Sequence, residues 1–472
     1  MDNFVVALEG LVVLAAIFLG VRMGGIGLGL WGVAGTAVLV FGFQMDPGTP
    51  PVDAFFIIIA VITASSAMQA AGGIDWLVSI ASRIIRANPK RITLVAPLVS
   101  FVFTVGAGTS NIYFALIPVI NETAYRNGIR PERPLASSTV TSALGITASP
   151  VSAAMAAYLT LLPDDFTLTD ILMITIPASI VACIVTSLVQ QRIGAELKDD
   201  PEYLRLVAAG EVEVPEEVMA GLPAETQSAA RAAAARTSVG SVATAEPPSA
   251  EETAEAAAHG RTSALIFLAG VAFIVIMGLF EDLRPTVGTG EDAGPLSMTV
   301  VIELAMFTVA LIILLVGKIA PAKVLEQPLL SAGIVAAIAL FGIAWMADTF
   351  IAGNPQIIDW MGSVVKDHPL FLAVALFLVC GLTTSQSATT RTLVPIALAA
   401  GMSPAIITAM WPSLVGVWLF PANGSQIAAV AIDKTGTTKL SQVPVWHSFT
   451  IPMLVSWVSV VAVGLAIAAV VK

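Results

Sequence analysis

Apolar residues are laid along this chain in blocks of membrane-spanning length, and the polar residues that interrupt them fall at matching places in its two halves. A spanning helix needs roughly 20 predominantly apolar residues. The first half carries such runs at about 4–21, 26–43, 53–71, 135–162 and 167–190, and the second at about 263–279, 297–316, 328–349, 404–431 and 443–471. Between the third and fourth run of each set lies a longer apolar segment, about 92–124 and 369–400, with polar residues near its middle. Such a segment is too long for one span and predicts a re-entrant hairpin, because non-helical backbone at membrane depth survives only where protein or a water-filled cavity satisfies its polar groups.

The interruptions repeat. The first hairpin breaks at Gly108-Thr109-Ser110-Asn111 and the second at Thr383-Thr384-Ser385-Gln386, and a proline follows each, Pro118 and Pro395. The fourth run of each half breaks as well, at Ile146-Thr147-Ala148-Ser149-Pro150 and at Pro421-Ala422-Asn423-Gly424-Ser425. Gly108, Pro150, Pro421 and Gly424 are the expected helix-breaking residues, since the residue before a proline is pushed out of the helical region. Asp75-Trp76 and Asp359-Trp360 follow the third run, and Asn88-Pro89 and His368-Pro369 precede the hairpin, in the same order twice. Small residues also serve close helix packing, but breaks at mirrored positions point to the binding site of a secondary transporter.

Five spans per half is an odd number, so the second half must enter the membrane upside down relative to the first. The expected fold is an all-α polytopic membrane protein, an inverted repeat of two halves, each with five transmembrane helices and one re-entrant hairpin. Residues 1–191 form the first half, 192–261 a linker and 262–472 the second half. This topology puts Arg22, Arg83, Arg86, Arg130, Lys318, Lys434 and the basic residues of the linker on one face, against Arg284, Lys366 and Lys472 on the other. Cytoplasmic loops are the ones enriched in Lys and Arg, so the linker is read as cytoplasmic and both termini as periplasmic or extracellular. The opening residues lack a basic stretch and a cleavage signature and are read as the first spanning helix.

Composition agrees, with 57% of the 472 residues hydrophobic, only 12% charged and a mean hydropathy of +0.89, outside the range of soluble domains. Cys183 and Cys380 lie in apolar runs without metal-ligand or redox spacing, so no metal site and no cofactor is expected. The net charge of −11 sits partly in the linker and in loops such as Asp164-Asp165 and Glu291-Asp292, where it reads as solvated surface. No nucleic-acid partner is expected; the partners are the lipid bilayer and a small molecule. The linker alone has soluble composition, with a short helix expected near 200–213 and an Ala-rich tether over about 222–260. Its few aromatic residues predict no packed core of its own.

A helix interrupted at mid-membrane presents orphan N–H groups and a positive partial charge at the start of its second segment, an end that attracts anions. Four such ends are expected to converge, near Asn111, Ser152, Ser387 and Ser425. Thr109, Ser110, Asn111, Thr147, Ser149, Thr384, Ser385, Gln386, Thr389, Asn423 and Ser425 supply neutral hydroxyl and amide contacts, and unwound carbonyls beside them suit a cation. Arg391, about one turn into the second arm of the second hairpin, is a charge within the membrane, expensive there and expected to neutralise substrate charge; snorkelling, or pairing with Glu303 or Asp348, is the competing reading. Those two carboxylates and His259, His368 and His447 are secondary candidates for proton coupling.

At this point the residues resemble the Dcu-type four-carbon dicarboxylate transporters of the wider ion transporter superfamily. The resemblance runs over nearly the whole chain. Its most specific stretches are Gly128-Ile129-Arg130-Pro131-Glu132-Arg133-Pro134-Leu135, Ile146-Thr147-Ala148-Ser149-Pro150-Val151-Ser152-Ala153, Trp345-Met346-Ala347-Asp348-Thr349-Phe350, Ser385-Gln386-Ser387-Ala388-Thr389 and Asp433-Lys434-Thr435-Gly436-Thr437-Thr438. It implies carriage of succinate, fumarate, malate or aspartate, often by exchange, in a bacterial inner membrane. It also implies a scaffold domain, an elevator-type transport domain carrying the hairpins, and a superfamily in which homodimers are common.

The chain departs from the pattern at the first tip, where Ser110 stands in place of an expected glycine. Sodium-coupled relatives carry Ser-Asn-Thr at both tips and neither tip here does, which disfavours Na+ and leaves H+ as the other coupling ion. The rival readings are a carrier of another small organic anion, such as a gluconate-like monocarboxylate, and an anion channel. No nucleophile or acid/base pair stands out at membrane depth, so an enzyme is not expected.

Overall fold

The apolar runs fold as helices whose ends fall where glycine, proline and side-chain caps put them. The computed structural model describes residues 3–23, 26–110, 112–163, 165–228, 231, 250–288, 294–354, 368–420, 423–440 and 445–471. α1 (Asn3–Met23) leads into α2 (Gly27–Ala37), which widens into a π turn at Val38–Gly42. α3 (Val52–Ala70) ends before Gly72, whose φ of +74° suits glycine, and the chain bends by 73° into α4 (Gly73–Ala87). The hydropathy runs do not predict α4, because it is amphipathic: Leu77, Ala81 and Ile85 face inward while Arg83 and Arg86 are exposed.

α5 (Ile92–Ala107) and α6 (Ile112–Arg126) form the first hairpin, and α7 (Glu132–Thr147) and α8 (Ala153–Leu159) the first broken span, followed by α9 (Leu168–Gln190). The linker holds α10 (Pro201–Ala209) and α11 (Glu216–Met219). α12 (Ala250–Leu279) leads to a two-residue ribbon in which β1 (Thr286–Val287) pairs antiparallel with β2 (Gly294–Pro295). Then come α13 (Met298–Gly317), α14 (Pro321–Leu325) and α15 (Pro328–Gly353). α16 (Phe371–Thr383) and α17 (Gln386–Ala399) form the second hairpin. α18 (Pro404–Met410), continued by a 3-10 stretch at Trp411–Trp418, and α19 (Gly424–Ile432) form the second broken span, and α20 (Thr450–Val471) closes the described chain.

By length and apolarity, six described stretches can cross a bilayer: Pro89–Ala107, Leu168–Gln190, His259–Leu279, Met298–Gly317, Pro328–Phe350 and Thr450–Val470; the bent pair α3–α4 adds a seventh. Ten were expected. The apolar parts of α1 and α2, Phe4–Gly20 and Gly29–Gly42, are shorter, and the runs at 135–162 and 404–431 are each cut in two. α5, expected as a hairpin arm, is apolar enough to cross together with the turn before it. Of the repeated dipeptides, Asp359-Trp360 lies outside the described residues.

α2 lies along α15 and α13 along α3, while α1 packs on α2 and α12 on α13. Glycine permits the first of these approaches, since a Cβ on Gly342 would overlap the carbonyl of Gly29. In a second group, α9 runs along α20, α5 along α7, and α16 along the 3-10 stretch, where a Cβ on Gly416 would overlap the Phe377 carbonyl. Phe4, Leu11, Leu14 and Phe18 of α1 and Leu304, Leu311 and Leu315 of α13 point outward, as expected of surfaces solvated by lipid.

The linker corrects one expectation. Leu197, Tyr203, Val207, Val212, Val218 and Leu222 make a small apolar cluster completed by Tyr125 of α6, so the segment packs by borrowing a surface. The Tyr125 hydroxyl donates to the Glu213 carbonyl at 2.9 Å, Arg133 pairs with Glu196 at 3.0 Å, and Arg130 is buried between Glu132 and Asp200. Burial pushes the Asp200 carboxyl up, but the Tyr203 backbone N–H and the Arg130 guanidinium outweigh it and hold it below the ordinary value. A depressed pKa contributes stability that is present above the unfolded-state value, near 3.9, and is lost as pH falls through the folded one. Arg130→Ala strands two buried carboxylates without a cation and is expected to cost about 3 kcal/mol or more, read as a lower thermal midpoint in detergent. In Asp200→Asn, the fall of that midpoint between about pH 5 and pH 3 should be shallower than in the wild type; an equal slope would reject the linkage.

Candidate functional site

The first tip is made by glycine. α5 ends at Gly108, φ +69°, whose N–H donates to the Thr104 carbonyl at 2.9 Å. A Cβ there would stand 2.7 Å from the Val151 carbonyl oxygen, so the missing side chain lets the tip rest on the first break. Within that break Ser152 caps α8, accepting the Met155 N–H at 3.0 Å and donating to the Ile146 carbonyl at 2.7 Å. Ser149 donates to the Val105 carbonyl at 2.7 Å and accepts the Val151 N–H at 3.3 Å.

The second tip turns through Thr384, φ +50°, a left-handed conformation that a β-branched residue adopts only under strain. Ser385 caps α17 by accepting the Ala388 N–H at 3.2 Å, and the Thr383 and Thr389 hydroxyls share a hydrogen bond at 2.9 Å. Gln386 reaches across to α7, its Nε2 donating to the Ala143 carbonyl at 3.1 Å. In the second break Asn423 caps α19 in a capping box with Gln426, whose Nε2 donates to the Trp418 carbonyl at 3.0 Å. His447 accepts the Phe449 N–H on Nδ1 and so carries its proton on Nε2, 3.2 Å from the Leu419 carbonyl that the break leaves over.

The two tips meet at a cavity of about 260 Å³. Gly108, Thr109 and Ser110 line it from the first tip, Thr384, Ser385, Gln386 and Ser387 from the second, and Ile146, Ala153 and Ala154 from the first broken span. α3 contributes Val61, Ile62 and Ser65, and α15 contributes Leu329 and Gly333. The polar lining is entirely neutral, and the volume lies just below the usual range for small-molecule pockets, about 300 to 1,000 Å³. Ser387 was expected only as a helix end near the site and Ser65 was not expected at all; the Ser65-Ser66 pair inside the mostly apolar α3 was the available signal. A second cavity, about 300 Å³, lies between Leu159–Leu168 and Arg284–Thr299 and contains no residue of either tip or break.

The remaining expected residues lie outside this lining. The Thr147 hydroxyl donates to the Leu144 carbonyl at 3.0 Å, Ser149 is tied to Val105 and Thr389 to Thr383, and Ser425 is buried at the start of α19. Asn423 serves as a cap, Pro150 sits in the turn between α7 and α8, and Gly424 opens α19. Asn111 and Pro421 lie outside the described residues. Arg391 is 2% exposed on α17, and none of its three guanidinium nitrogens has a hydrogen-bond partner among the described residues. Asp348 instead accepts the Thr49 N–H at 2.7 Å, tying the 48–49 loop to α15, and Glu303 is half-buried on α13. Among the described residues no group of His, Cys, Asp and Glu could hold a metal ion. Thr384→Gly should release about 1–2 kcal/mol of backbone strain and raise the thermal midpoint; an unchanged or lower midpoint would show that the threonine side chain repays its conformation.

The family model described as anaerobic C4-dicarboxylate membrane transporter matches residues 5–472. The C4-dicarboxylate transporter DcuA of Escherichia coli is 36% identical over 452 residues, covering 94% of each chain. The anaerobic C4-dicarboxylate transporter DcuB of Escherichia coli is 34% identical, also over 94% of each, and DcuA of Wolinella succinogenes is 34% identical over 98% of this chain and 97% of that one. Among solved structures, the Alcanivorax borkumensis YdaH transporter aligns with a TM-score of 0.52 at 14% identity, and Neisseria gonorrhoeae MtrF with 0.50 at 13%, each over 97% of both chains; these share the fold. The protein is a multi-pass membrane protein and not an enzyme. With a family model matched from residue 5 to residue 472 and relatives above 30% identity along nearly their whole length, this chain belongs to the anaerobic C4-dicarboxylate membrane transporter family.

Proposed function

We propose that the protein carries four-carbon dicarboxylates (succinate, fumarate, malate and aspartate) across a bacterial inner membrane, exchanging one for another by alternating access. The observation that carries this reading is the meeting of two hairpin tips at one small neutral cavity, with a buried Arg391 that has no hydrogen-bond partner among the described residues behind the second tip. Thr109, Ser110, Thr384, Ser385 and Gln386 are the proposed carboxylate contacts, joined by Ser65 and Ser387. Thr147, Ser149, Thr389, Asn423 and Ser425 hold the breaks in shape around them. An inverted repeat is supported by the way packing recurs under exchange of halves: α1 on α2 and α12 on α13, α2 on α15 and α13 on α3, α5 on α7 and α16 on the 3-10 stretch.

On this reading α1–α3 and α12–α15 are the scaffold, and the hairpins, broken spans, α9 and α20 are an elevator-type transport unit. α8 and α17 pack on α3 and α15; among the described residues α6 and α19 pack on each other without comparable contact to those two helices. The cavity is thus closed from the α8/α17 side, which supports access from the side of the linker, the cytoplasm if both termini are periplasmic. A homodimer and a coupling ion, H+ or Na+, of which the tip residues disfavour Na+, complete the proposal.

Charge decides between this and a monocarboxylate carrier. Arg391 lies five residues beyond Gln386, about 7.5 Å along the helix, where its attraction for each substrate charge is about 2 kcal/mol at an effective dielectric of 20. Arg391→Gln is therefore expected to weaken succinate binding by roughly thirtyfold or more per charge engaged, while the folded fraction holds; wild-type affinity in that variant would remove Arg391 from the site. In liposomes loaded with unlabelled succinate, uptake of labelled succinate, fumarate or aspartate should require the internal dicarboxylate. Preferential uptake of gluconate would select the monocarboxylate carrier, and flux indifferent to internal substrate an anion channel.

A further inference from the structure

We infer that Trp411, acting with Tyr158 and Thr390, positions the second tip, so that these three residues set substrate affinity without touching the substrate. Trp411 is among the largest fully buried side chains and begins the 3-10 stretch of the second broken span. Its indole lies flat on the Tyr158 ring of α8, centroids 4.2 Å apart and planes 9° from parallel. The polar atoms of the pair are all committed. Trp411 Nε1–H donates to Thr390 Oγ1 at 2.8 Å, and the Tyr158 and Thr408 hydroxyls share a bond at 2.7 Å. Thr390 Oγ1–H in turn donates to the Gln386 carbonyl at 2.8 Å, and Gln386 Nε2 reaches the Ala143 carbonyl of α7. The result is a closed circuit of α8, the 3-10 stretch, α17 and α7 that grips α17 in its first two turns.

Those two turns carry Ser385, Gln386 and Ser387 at the cavity and Arg391 beside Thr390. They also need an external grip, because the chain enters α17 through left-handed Thr384 and extended Ser385, and the first N–H groups of a helix lack partners within it. If the pair only filled space, a phenylalanine would serve in either place. A tryptophan and a tyrosine are buried here with the polar atom of each meeting a threonine hydroxyl, and one of those threonines adjoins Arg391. Short-range contacts make such a grip matter, since a misplacement on the order of 1 Å can cost about a hundredfold where geometry is exacting.

This inference rests on the proposed role of the second tip, and the test separates the two. Equilibrium exchange in liposomes gives the half-saturating succinate concentration and the maximal rate. Trp411→Phe keeps the stack and removes the donor; Thr390→Val keeps the shape and removes both the acceptor and the hydroxyl's own bond to the Gln386 carbonyl. Trp411→Phe should raise half-saturation about fivefold, the worth of one neutral hydrogen bond, and Thr390→Val at least as much, with the maximal rate within about twofold in both. The double variant should be no worse than the more severe single one, because both remove the same bond, and Thr390→Ser should restore wild-type half-saturation. Wild-type half-saturation in both single variants, or additive losses in the double, would overturn the inference. Ser385→Ala is the control for the underlying reading: if it too leaves half-saturation unchanged, the tip is not the binding element, whereas a weakened Ser385→Ala beside unchanged Trp411→Phe and Thr390→Val isolates the failure to the grip.

Discussion

Backbone N–H and C=O groups at membrane depth must find partners within the protein, and in this chain that constraint is met at four interruptions by a handful of short polar side chains. Ser152 serves both sides of the first break, capping the helix that starts and taking up a carbonyl of the helix that ends. Asn423 and Gln426 do the same around the second break, with His447 brought from beyond it to the remaining Leu419 carbonyl. Because these partners are neutral, burying them costs little once they are bonded. Arg391 is the exception, a buried charge whose guanidinium has no hydrogen-bond partner among the described residues. This contrast makes it the centre of the functional reading.

The two tips obey the same constraint by different means. Gly108 reaches a left-handed turn without strain and gives up its side chain to lie against Val151. Thr384 reaches a similar turn at a cost and keeps a hydroxyl-bearing side chain at the cavity wall. The second tip is therefore the more demanding of the two, and it is the one attached to the Trp411–Tyr158 stack and to the Gln386 bridge. The linker shows the same economy on a larger scale. Too poor in aromatic residues for a core, it obtains one by covering Tyr125 and neutralising Arg130 and Arg133 at the entrance to the first broken span.

The hydrophobic pattern by itself determined that the chain is helical and membrane-embedded, and it located both hairpins and both breaks to within a few residues, because a run of apolar residues interrupted by glycine, proline and hydroxyl groups has few structures open to it in lipid. It also marked Arg391, since a lone charge in an apolar segment is conspicuous without any coordinates. It could not find α4, whose apolar residues occupy one face only. Nor could it tell which of many Ser and Thr residues face the cavity: Thr147 and Ser149 look like Thr109 and Ser110 in sequence, yet the former bond to nearby carbonyls and the latter line the cavity. That distinction depends on which faces of α3, α15 and the two tips come together, as does the circuit joining Tyr158, Trp411 and Thr390 across more than two hundred residues. Local sequence fixes where a helix must end; only tertiary packing decides what the freed polar groups meet.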